Sequence, residues 1–183
     1  MQKFNHPVEK HIKTINYKGV EFEVVERPDV IWVGCVDYAK NNTDEADNQA
    51  TFKSFEALIK LVPVNEEMNP GFSAALSINY RRNDKPRGMF FGNETYSEKQ
   101  DERYDLFTLP GGLWLKIQVT KDSDFTFLGR INNGLWEYFA NDILQNAAKE
   151  NGYVQNPDVD VQIEYNIYAV NDAPYAYIPI IAV

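Results

Sequence analysis

The sequence has little of what covalent and metal-based sites require. Cys35 is its single cysteine in 183 residues, which excludes an internal disulfide, and its apolar surroundings predict a buried, inert thiol. His6 and His11 are the only histidines, lie near the start of the chain, and are interpreted as solvated residues rather than metal ligands. Glycine-rich phosphate loops, His-Glu-x-x-His patterns and nucleophile elbows are absent from the sequence. We therefore expect neither a metal nor another cofactor.

Long apolar runs and an excess of basic charge are also missing. The longest apolar run, at the C-terminus, has fewer than ten residues and is too short to cross a bilayer. The first 19 residues lack the apolar core of a signal peptide. With 18 basic and 27 acidic side chains, the formal net charge is −9, which repels phosphate backbones. We expect a cytoplasmic protein that binds neither nucleic acid directly nor membranes.

Aromatic residues and alternating patterns are plentiful, and they predict strands. The chain has 11 Tyr and 11 Phe, residue types that favour strands. From Val159 to Ile167 apolar residues alternate with polar ones, and a second apolar run follows at 175–183 after a short turn. This pattern predicts the final hairpin of an antiparallel sheet. Glu164 lies in mid-strand on the polar face, where a carboxylate usually meets water. It becomes a site residue only if that face lines a pocket.

The other predicted elements form two similar units. After a tail at residues 1–19, we predict strands at 20–25 and 30–36, an amphipathic helix at 52–62, and strands at 72–80 and 87–91. Strands at 104–109 and 113–119, a helix at 125–151 that glycines weaken before about residue 132, and the hairpin complete the chain. The fold class is therefore α+β, with one domain at 20–183 and halves of about 20–103 and 104–183. Duplicated β-α-β-β units would form a curved antiparallel sheet or open barrel with two covering helices.

Several short segments occur in a characteristic order between Val20 and Val183. They are Phe22-Glu-Val-Val-Glu-Arg-Pro28, Phe107-Thr-Leu-Pro-Gly-Gly-Leu-Trp114, Glu150-Asn-Gly-Tyr153, Val161-Gln-Ile-Glu-Tyr165 and Ala176-Tyr-Ile-Pro-Ile180. Together they resemble the bacterial effector-binding (GyrI-like) domain, whose fold is a duplicated β-α-β-β sheet. The second helix is longer than the family pattern, and Asn151 replaces its usual Ser, so the rim of the family's cleft would be reshaped here.

The resemblance implies a role for Glu164. Family members that bind lipophilic cations use the fifth-strand glutamate as an acceptor among aromatic side chains, and aromatic faces attract cations. By strand parity Trp114 lies on the Lys116/Gln118 face, which suits an indole only if that face lines a cleft, and Tyr168 shares the face of Glu164. The candidate ligand-binding residues are Glu164, Trp114, Tyr168, Tyr80, Phe91, Trp136, Tyr175 and Tyr177.

Three functions stay open at this point. The first is a stand-alone binding protein that senses or sequesters a lipophilic, often cationic, small molecule. Because 19 residues before the first strand cannot hold a DNA-reading module, such a sensor would need a partner regulator. The second is a hydrolase of reactive cyclopropane-type genotoxins, as in some gyrase-inhibitor-like proteins, with Glu164 activating water and a tyrosine or Trp114 holding the electrophile. The third is a topoisomerase-inhibitor-like interaction, which the acidic charge permits.

Overall fold

The computed structural model describes residues 6–40, 47–82, 84–118, 143–165 and 175–183. Within these ranges ten strands form one open antiparallel sheet that carries two helices. The strands are β1 (Lys10–Tyr17), β2 (Val20–Arg27), β3 (Val30–Tyr38), β4 (Ala74–Ile78), β5 (Gly88–Thr95), β6 (Asp105–Leu109), β7 (Gly112–Gln118), β8 (Tyr153–Gln155), β9 (Val161–Tyr165) and β10 (Tyr175–Ala182). The helices are α1 (Asn48–Leu61) and α2 (Ile143–Glu150).

Strand β1 corrects the interpretation of residues 1–19 as a tail. It pairs antiparallel with β2 through a tight turn at Lys18 and Gly19, both of which have positive φ. Only Ile15 and Tyr17 of its side chains are buried. An edge strand that exposes most of its side chains shows no apolar alternation, so the sequence pattern did not reveal it.

The helices follow from caps and apolar spacing. Helix α1 begins earlier than predicted, at Asn48, because the Asp47 side chain accepts a hydrogen bond from the Ala50 amide at 2.9 Å. It ends just before Pro63, as predicted. The described part of α2 is Ile143–Glu150, and the predicted earlier turns lie outside the described residues. The same holds for the predicted continuation of β9 towards residue 168.

The sheet order displays the predicted duplication. The strands run β1-β2-β7-β10-β9-β4-β5-β3-β6, with β8 pairing on β10. The unit β3-α1-β4-β5 and the unit β7-α2-β9-β10 have the same internal strand order, and they meet where β4 pairs with β9. The predicted α+β class, with a curved antiparallel sheet, is confirmed.

Curvature divides the sheet into two unequal faces. Arg27 on β2 contacts Glu94 on β5, although five strand spacings, about 24 Å in a flat sheet, separate these strands. The sheet therefore curls around a concave core to which β2, β3, β4, β5, β6, β7, β9 and β10 all contribute. The opposite, convex face has two separate apolar clusters. One lies under α1 on β3, β4 and β5, and the other lies under α2 on β1, β2, β7 and β10.

Two facing glycines allow the backbones of β3 and β5 to approach each other closely. Gly34 pairs with Gly92, and a Cβ added to Gly34 would lie 2.0 Å from the Phe91 carbonyl oxygen. We expect Gly34→Ala to lower the free energy of unfolding by at least ~2 kcal/mol, because the obstructing atom is backbone and cannot rotate away. Urea denaturation measures this loss. Thr108→Ala, at an exposed position of the adjacent strand β6, is the control and should change stability little. An unchanged midpoint for Gly34→Ala would contradict the close approach.

Candidate functional site

The candidate site is centred on β9, where the two halves of the sheet meet. Glu164 pairs with Ala75 of β4 on one side and with Ala176 of β10 on the other. Ala75 belongs to the convex cluster under α1, and Ala176 belongs to the cluster under α2. Since paired residues share a face, Glu164 lies on the convex face between the two helix-covered clusters. Both of its cross-strand neighbours are alanines, which leave the carboxylate without a large side chain beside it.

Gln162 lies on the same face, two residues before Glu164, and pairs with Ser77 of β4. Its side chain is buried, with 1% of the residue exposed, yet neither the amide oxygen nor the amide nitrogen has a hydrogen-bond partner among the described residues. The Oε1 atom of Glu164 is likewise buried and without a partner there. Native proteins rarely leave three buried polar atoms unpaired at neighbouring positions. This arrangement is the strongest local sign of a binding site on the convex face.

The electrostatics of Glu164 agree with its surroundings. Burial raises the pKa of its carboxyl from an ordinary value of 4.5 to about 7, and no cation among the described residues opposes the shift. The group therefore titrates near neutral pH. A positively charged ligand would favour its ionised form and recover the solvation that burial removes.

The duplication relates the long polar side chains of β9 to small side chains at the equivalent positions of β4. A two-fold axis between the paired strands β4 and β9, centred on Leu76 and Ile163, relates Ser77 to Glu164 and Ala75 to Gln162. The first unit thus has an alanine and a serine where the second has two long polar side chains. The junction therefore has small side chains on one strand and long hydrogen-bonding side chains on the next.

Three of the predicted site aromatics lie on the opposite face. Trp114, Tyr175 and Tyr177 are almost fully buried in the concave core. The prediction that Trp114 shares a face with Lys116 agrees with the structure, in which Trp114 belongs to that core and Lys116 pairs with Tyr177, another of its members. That face, however, is not the face of Glu164. The structure therefore does not bring these three aromatics together with the carboxylate.

The remaining candidates are distributed between the two faces or lie outside the described residues. Phe91 is on the convex face, where it packs edge-on against Phe52 of α1 with the ring centroids 5.5 Å apart. Ala75 lies between Phe91 and Glu164 in the sheet. Tyr80 follows the end of β4 and lies beneath the Arg87 guanidinium. Tyr168 and Trp136 fall outside the described residues. Gln162 is a further candidate that the sequence pattern did not single out, although it lies on the polar face of the same strand as Glu164.

A network of buried polar side chains occupies one end of the concave core. Glu94 binds Arg27, accepts a hydrogen bond from the Tyr165 hydroxyl at 2.5 Å, and contacts His6 Nε2 at 2.7 Å. Asn69 also donates to Glu94. Burial alone would raise the pKa of Glu94, but Arg27 and His6 lower it below its usual value. The network therefore holds an ionised carboxylate inside the core.

His6 is thus not the solvated tail residue that the sequence predicted. It is 4% exposed, and its ring is fixed by Glu94 and Asn69. Glu9, three residues further on, binds the Lys116 ammonium and accepts a hydrogen bond from the Tyr177 hydroxyl at 3.0 Å. The segment entering β1 is consequently anchored inside the sheet by two polar side chains. Short-range patterns cannot reveal such anchors, because the Glu94 and Asn69 partners of His6 and the Lys116 partner of Glu9 are all more than 60 residues away.

The described residues favour neither a metal site nor a reactive cysteine. No group of three His, Cys, Asp or Glu side chains gathers into a metal site within the described ranges. Burial, with a smaller contribution from Asp105, raises the pKa of the partly buried Cys35 thiol, which disfavours the thiolate. Among the helices of the described residues, none is long and apolar enough to span a membrane.

Comparisons with known proteins identify the fold. No protein-family model and no curated protein sequence matches the chain. The structure of SAV2435 bound to tetraphenylphosphonium is similar with a TM-score of 0.60 at 12% identity, covering 88% of this chain and 94% of that one. The C-terminal domain of EcmrR gives 0.52 at 11% identity, covering 88% and 98%. The integron cassette protein VCH_CASS2 of Vibrio cholerae gives 0.52 at 13% identity, covering 94% and 99%.

The chain has the effector-binding (GyrI-like) domain fold. The neighbours cover nearly all of it, which confirms the resemblance carried by the segments around Trp114, Tyr153, Glu164 and Pro179. In the complex of EcmrR with DNA, the matched region is 57% of that chain. At these identities the likeness establishes the effector-binding fold and leaves the ligand to be argued from this chain's own residues.

The buried network yields a prediction for stability. Arg27→Met should lower the free energy of unfolding by about 3–5 kcal/mol, because it leaves the Glu94 carboxylate buried without its cation. The double variant Arg27→Met/Glu94→Met should lose less than the sum of the two single losses. Lys10→Met, which breaks an ion pair to Glu26 whose side chains are 75% and 55% exposed, should cost no more than ~1 kcal/mol. Additive losses in a urea double-mutant cycle would show that Arg27 and Glu94 are not coupled.

The raised pKa of Glu164 yields a prediction for pH dependence. Below pH 4.5 the carboxyl is protonated in both states, and between about 4.5 and 7 only the unfolded state ionises. Stability should therefore fall as pH rises through this window, by about 1–3 kcal/mol after allowance for the partial exposure of the side chain. Glu164→Gln should remove that fall, whereas Glu21→Gln, at an exposed position of β2, should retain it. Parallel pH profiles for all three proteins would place the titration elsewhere.

Proposed function

We propose that this protein binds a lipophilic, positively charged small molecule on the convex face of its sheet, with Glu164 as the counter-ion, and acts in sensing or sequestration. The single observation that carries the proposal is the buried, unpartnered carboxylate at the junction of the two halves. Buried groups with strongly perturbed pKa values cluster at functional sites, and binding a cation is the use that the charge of this one suits.

The position of the site supports the proposal. Ligand sites combine apolar walls with a few placed polar groups, and here Glu164 and Gln162 lie between two apolar clusters. Phe91 and Phe52 add an aromatic surface beside the first unit. The similar SAV2435 structure contains tetraphenylphosphonium, a lipophilic cation, which makes this compound the first probe to use.

A second candidate function rests on the same carboxyl. A group with a pKa near 7 suits general-base catalysis at neutral pH, as a hydrolase of cyclopropane-type electrophiles would require. The geometry favours binding over this reaction, because Trp114, Tyr175 and Tyr177 lie on the other face and cannot hold an electrophile against Glu164. Product formation at catalytic protein concentration, abolished by Glu164→Gln, would reverse this preference.

The leading proposal predicts a pH-dependent affinity. Tetraphenylphosphonium pairs with the ionised carboxylate, whose population grows about tenfold between pH 6 and pH 8 for a pKa of about 7. We expect the association constant, measured by titration calorimetry, to rise by nearly this factor. Glu164→Gln should weaken binding at pH 8 by ~100-fold, the scale of removing one partner of a buried charge pair, and should abolish the pH dependence.

Glu21→Gln is the matched control, since it removes the same charge from an exposed position. It separates the effect of a local contact from that of net charge. Equal affinities for the wild type and Glu164→Gln would exclude Glu164 as the counter-ion. Absence of any binding by the wild type would remove the proposed function itself.

A further inference from the structure

The unpaired polar atoms on β9 constrain the hydrogen-bonding groups of the proposed ligand as well as its charge. They are Glu164 Oε1, Gln162 Oε1 and Gln162 Nε2, and all three are buried without partners among the described residues. Glu164 presents an acceptor, while Gln162 presents an acceptor and a donor. A lipophilic cation without N–H or O–H groups would neutralise the carboxylate and leave the Gln162 amide unsatisfied.

The spacing of the two side chains is fixed by the strand. Residues two positions apart on one strand face the same way and are separated by about 7 Å. The β4 residues opposite them cannot satisfy them. Ala75 has no polar side-chain atom, and the Ser77 hydroxyl makes no hydrogen bond to Gln162 although the two residues pair directly. The donors and acceptors that would complete this site are therefore absent from the described residues.

Burying an unpaired amide costs free energy that a methionine at the same position would avoid. An unsatisfied buried polar group lowers stability, whereas an apolar isostere fills the same volume without the penalty. Gln162 has 1% of its surface exposed, so its amide gains little from water. A ligand with complementary polar groups would remove this penalty.

We propose that the ligand is a two-point binder. It carries its positive charge on an N–H-bearing group, such as an amidinium or a protonated amine, which donates to Glu164. A second, amide-like group about 7 Å away donates to and accepts from Gln162. This inference rests on the proposed function and adds the chemical class of its ligand. Gln162 is then a specificity-determining residue.

The experiment compares two ligands that differ only by an amide. Benzamidine and 4-carbamoylbenzamidine have the same charged group, and the second adds a carboxamide at the far end of the ring. At pH 8 we expect the wild type to bind the carbamoyl compound 5- to 10-fold more tightly, about the value of one net hydrogen bond. In Gln162→Met the ratio should fall to about one. Gln162→Leu, judged by the same ratio, is the second variant should the first fail to fold.

A ligand-free measurement tests the same residue independently. Because Gln162→Met removes two unsatisfied atoms at nearly constant volume, its melting temperature should rise by roughly 2 to 6 °C. Ser77→Ala is the control at the paired position, and it should give no such rise. A fall in melting temperature for Gln162→Met would show that the amide stabilises the fold, and would overturn the inference.

The outcomes separate this inference from the proposed function. An amide preference that survives in Gln162→Met would exclude Gln162 as its source. Binding of tetraphenylphosphonium that depends on Glu164, with no binding of either amidine, would leave the proposed function in place and overturn the two-point ligand. If the wild type binds none of the three cations, both the proposed function and this inference fail.

Discussion

The buried ion pair between Arg27 and Glu94 is the contact on which the curvature of the sheet depends. It joins strands that are five places apart in the sheet order, and it does so inside the concave core. A buried pair costs solvation, which the Coulomb attraction repays only when further hydrogen bonds complete it. Tyr165, His6 and Asn69 supply them to Glu94, and the Tyr165 hydroxyl also accepts from Arg27 Nη2, whereas Arg27 Nε and Nη1 have no partner among the described residues. The open sheet thus keeps its curl through a polar closure rather than through a closed ladder of hydrogen bonds.

This closure leaves the two faces of the sheet differently occupied. The concave side is filled by aromatic side chains and by the segment from His6 to Glu9, and the carboxylates of Glu94 and Glu9 there are paired with Arg27 and Lys116. The convex side is divided between two clusters, each beneath one helix, and its centre is the junction of β4 and β9. Because of the duplication, the backbones of the two strands are related by symmetry at this junction. Their side chains are not, because Gln162 and Glu164 of β9 face Ser77 and Ala75 of β4.

The sequence predicted most of the architecture because strand period, helix period and capping are local properties. The hairpin around Glu164, helix α1 and the repeated unit could all be read from spacing. Strand β1 and the burial of His6 could not, since both depend on partners distant in sequence. Strand parity correctly placed Trp114 with Lys116 and Glu164 with Gln162. Parity shows which residues of one strand share a face, but it does not show which faces of two strands lie on the same side of the sheet. The aromatic residues were therefore placed beside the Glu164 carboxylate without knowledge of the strand register.

Two buried glutamates of this chain show how partners decide the use of a carboxylate. Burial raises the pKa of both, but Arg27 and His6 reverse the shift at Glu94, and no described group does so at Glu164. Glu94 is therefore an ionised structural group whose loss of solvation is already offset by contacts within the fold. Glu164 retains the unfavourable solvation that a cation can relieve. The same residue type is structural where the fold supplies its cation, and available for binding where the fold does not.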